Sequence, residues 1–159
     1  MIEMGKDRFF LMRAITIASE GIMQGGGPFG AVITRQDEII AESNNRVVLT
    51  HDPTAHAEMI VIREASALLK THDLSGCTLY TSCEPCPMCF GAVYWAGIRK
   101  VVYASDRIDA AAAGFSDKFI YDEIMLSPPS RNIRFIRLED CNGDVVFRKW
   151  DEFEDKIAY

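Results

Sequence analysis

Two short stretches thirty residues apart constrain this chain more than anything else in it: His56-Ala57-Glu58, and Pro85-Cys86-Pro87-Met88-Cys89. A fold that brings them together gains three zinc ligands (His56, Cys86, Cys89) and one carboxylate, one ligand short of a closed tetrahedral site. A zinc ion with an open fourth position holds water and lowers its pKa to about 7, so the pattern implies hydrolytic chemistry with one zinc per chain. Cys86 and Cys89 stand three apart where a helix is expected to begin, so both sulfurs can reach one ion. The positive end of that helix favours thiolates. Glu58, about 200° round a helix from His56, points away from direct ligation and toward the water, the position of a general base.

Taken singly, His56 reads as an ordinary helix histidine and Cys86 as a buried filler. Together with Glu58 and Pro85 they read as a catalytic centre. The competing arrangement is a closed Cys₃His structural site with Cys83 as fourth ligand, which the spacing Cys83-x-x-Cys86-x-x-Cys89 permits. It would leave Glu58 without a purpose, and Cys83, at the end of a strand, is better placed to pack in the core. An iron–sulfur cluster lacks a fourth cysteine at suitable spacing.

The 159 residues suit one domain. Three of the five cysteines fall within seven residues, which favours metal over disulfides and fits a reducing, cytoplasmic setting. The longest apolar run, Cys89 to Ile98, is too short to span a membrane. A net charge of −6 argues against nucleic acid as a partner. So does the segment from Glu139 onward, with seven acids against three bases.

Helical periodicity runs from Asp7 to Gln24 and breaks at Gly25-Gly26-Gly27-Pro28. Phe29–Thr34 and Glu38–Glu42 predict a hairpin around Arg35-Gln36-Asp37. Asp52-Pro53 is expected to cap and open a helix to about Lys70. Thr78–Thr81 and Lys100–Ala104 predict strands around a buried helix at Pro87–Ala96. Asp106–Ala113 and Phe119–Leu126 predict short helices, and Asn132–Leu138 a last strand. Val146, Trp150, Phe153 and Ile157 favour a C-terminal amphipathic helix over a hairpin turning at Asn142-Gly143. The alternation predicts a three-layer α/β/α domain.

His-x-Glu with Pro-Cys-x-x-Cys is the zinc-deaminase signature. Along almost its whole length the chain resembles the cytidine deaminase superfamily, through residues 27–33 (GPFGAVI), Asn44-Asn45, residues 52–58 (DPTAHAE) and residues 80–89 (YTSCEPCPMC). Residues 109–117 (DAAAAGFSD), Phe119-Ile120-Tyr121 and the terminal Tyr159 look more particularly like bacterial guanine deaminases. The resemblance implies a mixed five-stranded sheet and a homodimer. It also implies that the C-terminal segment, about residues 139–159, closes over an active site, its own or the partner's. A purine base would then be the substrate, converted from guanine to xanthine and ammonia. Glu58 and Asp117 would move protons, and Asn45, Phe29, Ala57 and Tyr159 would line the base. The alternatives within the same chemistry are a tRNA-specific adenosine deaminase and a deaminase of cytosine or another aminopyrimidine or triazine. Outside it stands a zinc-stabilised binding module without turnover.

Overall fold

The structure, a computed structural model, describes residues 2–158. Tyr159, expected at the site, lies outside them. The chain parts into two compact units between Asp117 and Lys118.

The first unit is built on a sheet of four strands in the order β2-β1-β3-β4. Helix α1 (Ile2–Met23) precedes β1 (Gly27–Arg35) and β2 (Glu38–Asn45), which form the expected antiparallel hairpin. Its two-residue turn holds Gln36 and Asp37 at positive φ (51° and 65°), the backbone twist that a tight hairpin requires. A single turn, α2 (Val47–Thr50), leads to α3 (Ala57–Leu69). Then β3 (Cys77–Cys83) pairs antiparallel with β1, α4 (Pro87–Trp95) crosses over, and β4 (Lys100–Ser105) pairs parallel with β3. The sheet is therefore mixed, as expected.

Strand alternation sorts the core into two layers. Ala31, Ile33 and Leu79 face α3 and α4, packing with Val61, Ala65 and Val93. Val32 and Tyr80 face α1, packing with Phe10, Ala14 and Ile17. Gly30 is required for that second contact. A Cβ there would lie 2.3 Å from the Ala14 carbonyl oxygen and 2.6 Å from the Ala18 nitrogen. Helix α5 (Arg107–Ala112) closes the unit, capped by Asp106 in a capping box with Asp109.

The second unit holds α6 (Lys118–Met125), a 3₁₀ turn at Pro128–Ser130, another at Glu139–Cys141, and α7 (Val145–Glu152). The expected C-terminal helix is present, following Asn142 at positive φ. It ends before Phe153 and Ile157.

Three expectations need correction. Residues 132–138 are irregular, so the sheet has four strands among the described residues and not five. Their β-rich composition sets a preference, but a strand needs a partner to pair its backbone, and among the described residues none pairs with them. Asp52 does not cap α3. Its carboxylate accepts from the Thr54 backbone N–H (2.8 Å) and hydroxyl (2.7 Å), and this local turn delays the helix until Ala57. Helix α4 is not buried all round: Cys89 and Val93 face inward while Phe90, Tyr94 and Trp95 are exposed.

Candidate active site

Two helix starts and one strand end converge on the site. His56 is the N-cap of α3 in extended conformation, and Cys86 is the N-cap of α4 with Pro87 as the first helical residue. Cys89, one turn into α4, is buried. The His56 Nδ1 atom lies 3.5 Å from Cys86 Sγ and 3.6 Å from Cys89 Sγ, and the two sulfurs are 3.7 Å apart. Tetrahedral zinc, with Zn–S about 2.3 Å and Zn–N about 2.05 Å, spaces two sulfurs about 3.8 Å apart and sulfur from nitrogen about 3.6 Å. The donor set and its spacing therefore fit one zinc ion. The Cys89 thiol, with His56 beside it, holds Cys86 down to about 4, so a ready thiolate sits at the helix start.

Cys83 is not a fourth ligand. It ends β3 with its sulfur 3.5 Å from the Asp106 carbonyl oxygen, and burial pushes its thiol up to about 11. The triangle is thus completed by no other described His, Cys, Asp or Glu. That is the open arrangement of a catalytic zinc site.

Glu58 is the second residue of α3 and is buried. Because His56 is a cap in extended conformation, the helical angle between the two does not by itself place the carboxylate. The structure puts Glu58 Oε2 3.6 Å from Cys89 Sγ, at the edge of the triangle. The Thr81 hydroxyl donates to Oε1 at 3.0 Å. Burial pushes the carboxyl's pKa up, against the opposing pull of its own backbone N–H and Thr81. A carboxylate so placed can take up a proton and give it back.

The neighbouring candidates arrive by backbone ties. The Arg46 N–H donates to the Ala55 carbonyl at 3.0 Å, joining the end of β2 to the residue before His56. Asn45, buried at that strand end, has its Oδ1 taken by the Val47 N–H at 3.2 Å, which leaves its amide donors for another partner. Gly27 lies against it, and a Cβ there would come within 3.0 Å of Oδ1. Ala57 is fully buried at the start of α3. Phe29 packs edge-on against Phe115, ring centres 5.0 Å apart. Both rings border a cleft of about 290 Å³ that runs along Ile15, Ile22 and Ala110 and does not include the zinc triangle. Asp117 is partly buried, which raises its carboxyl pKa. The charge on Cys86 acts in the same direction and Arg107 opposes it.

Sequence reasoning missed Thr81. The signal was available: in Leu79-x-Thr81-x-Cys83 the inward face of β3 carries one hydroxyl among apolar neighbours, and a buried hydroxyl needs a partner.

Residues 4–105 match the model of the cytidine and deoxycytidylate deaminase zinc-binding region. The chain belongs to this deaminase family. Its cofactor is accordingly zinc, and the His56–Cys86–Cys89 triangle falls inside the matched region. Guanine deaminase of Bacillus subtilis is 50% identical over 151 residues, covering 94% of this chain and 97% of the relative. The X-ray structure of guanine deaminase from Bacillus subtilis superposes with a TM-score of 0.92 at 49% identity, covering 96% of this chain and 98% of that one. A tRNA-specific adenosine deaminase of Aquifex aeolicus is 41% identical over 125 residues, 78% of this chain and 81% of the relative. No helix of the described residues is long and apolar enough to cross a membrane.

Proposed function

We propose that this deaminase hydrolyses free guanine to xanthine and ammonia. The observation that carries the reading is where the likeness extends. The family's zinc region ends at residue 105, whereas the 50% identity to guanine deaminase covers 94% of the chain. Beyond that region lie residues 109–117, Phe119-Ile120-Tyr121 and Tyr159, the stretches that look more particularly like guanine deaminases.

His56, Cys86 and Cys89 hold the zinc ion, which supplies Lewis acidity that makes water a nucleophile near neutral pH. Glu58 accepts at Oε2 the proton that water loses on adding to C2 of guanine, and delivers it to N3. Its burial suits it to carry that proton between the two steps. As C2=O forms, the remaining hydroxyl proton passes through Glu58 to the C2 amine, which leaves as ammonia. Asp117, whose carboxyl pKa burial raises, is the other group placed to relay that proton. Asn45 offers its amide N–H to an acceptor edge, such as O6 or N7 of a 6-oxopurine. Phe29 flanks the ring, the Ala57 backbone lines the base, and Tyr159 closes over it.

The molecule works as one zinc-dependent deaminase of residues 1–159, in the cytoplasm, in purine metabolism, as a homodimer. Residues 139–159 exchange between subunits to cover the partner's site. Exposed Ile133, Ile136, Leu138, Val146 and Phe147 support an assembly that buries the second unit's apolar face.

Activity on a tRNA anticodon arm is the second reading, favoured by the 41% identity to the Aquifex aeolicus enzyme. The net charge of −6 stands against it. Ammonia release measured on guanine, adenine, cytosine, guanosine, cytidine and a tRNA hairpin separates the two. Guanine is expected to turn over fastest. Turnover of the hairpin with none of guanine would replace the reading.

A further inference from the structure

Thr81 sits at the middle of β3 with no solvent exposure. It is paired with Ala31 on β1 and Tyr103 on β4, and shares its strand face with Leu79 and Cys83. Packing alone asks only for a β-branched apolar side chain such as valine here. The hydroxyl has one proton to donate, and it goes to Glu58 Oε1 at 3.0 Å. The other carboxylate oxygen, Oε2, is the one beside the zinc triangle, 3.6 Å from Cys89 Sγ.

We propose that Thr81 is a positioning residue for Glu58, its hydroxyl holding Oε1 as a fixed acceptor so that Oε2 alone exchanges the proton of deamination. The two oxygens of a free carboxylate are equivalent and interchange by rotation of the terminal torsion. A proton placed on Oε1 would take away the acceptor of the Thr81 hydroxyl and force that hydroxyl to turn, so protonation there is disfavoured. The hydroxyl therefore both stops the rotation and names the working oxygen. Thr81 touches neither metal nor base; it acts through Glu58, and the inference rests on Glu58 being the proton carrier proposed above.

Two variants read opposite ways for positioning and for packing. T81V keeps the shape and loses the hydroxyl; T81S keeps the hydroxyl and loses a methyl. Zinc-loaded T81V is expected to lose roughly 10- to 100-fold in kcat, the scale of a lost hydrogen bond to a charged group. KM and one zinc per chain should be unchanged, and T81S should recover most of the loss. Packing alone predicts the reverse order, with T81V near wild type and T81S the poorer enzyme because of the void it leaves. That order would overturn the proposal. Should the wild-type protein release ammonia from another base and not from guanine, the guanine reading falls. The two variants are then compared on that base, and the same order decides. Crystal structures of zinc-loaded wild type and T81V give a readout independent of turnover. A Glu58 carboxylate rotated about its terminal torsion in T81V is the expected result, and an identical orientation in both would overturn the proposal.

Discussion

Glu58 and Cys83 are both buried, yet their surroundings assign them opposite parts. The carboxyl of Glu58 has a hydroxyl donor on one oxygen and the zinc triangle beside the other. Cys83 donates to the Asp106 carbonyl, and burial keeps it a thiol. The difference decides whether the metal site is open. Removing Cys83 is therefore expected to leave the metal in place: C83A should retain one zinc per chain, while C86A and C89A lose it on dialysis against a weak chelator. Loss of zinc from C83A would restore the closed four-ligand arrangement and with it a structural role for the metal.

At the scale of elements, helix α1 is fixed to the sheet through Asp7. Lys100 on β4 and the Tyr80 hydroxyl on β3 donate to it at 3.0 and 2.8 Å, and the Lys100 contact holds the Asp7 carboxyl below its ordinary 3.8. A carboxylate whose folded pKa is depressed contributes stability above its unfolded value and loses it as pH falls through the folded one. Wild type is expected to exceed D7N by about 1 kcal/mol at pH 7, a modest figure because the pair is partly solvated. The gap should close progressively as pH drops below about 4. Urea titrations at pH 7 and pH 3 check this, and an undiminished gap at pH 3 contradicts it. The same elements show what a sequence can disclose. The α1 periodicity and the hairpin are local patterns, and both stand in the structure. The start of α3 was misread because the Asp52 carboxylate closes a turn on Thr54, a contact that competes with helix capping and leaves the same residue signature. The strand expected at Asn132–Leu138 has the composition of a strand, but pairing depends on a neighbour that composition does not name.

For the whole molecule, the meeting of His56, Cys86, Cys89 and Glu58 was legible because they fall in two short motifs. The strand face marked Thr81 as a hydroxyl in need of a partner but did not name Glu58, which is twenty-three residues away and is brought to it only by the packing of α3 on the sheet. The proposed exchange of residues 139–159 is a question of assembly, and it has its own test. A chain lacking Ala158-Tyr159 and an E58A chain should each be impaired. Unfolded, mixed and refolded together, they should regain part of the wild-type rate, because the intact tail of the second covers the intact site of the first. No gain on mixing would place each tail over its own site. The central claim is that His56, Cys86 and Cys89 hold a zinc ion at which Glu58 moves the proton for guanine hydrolysis. Its most direct test is xanthine formation from guanine, followed by ultraviolet absorbance, for zinc-loaded wild type and E58Q at matched metal content. The account predicts steady turnover by the wild type and a loss of at least about 100-fold in E58Q with one zinc still bound. Comparable rates for the two proteins would contradict it.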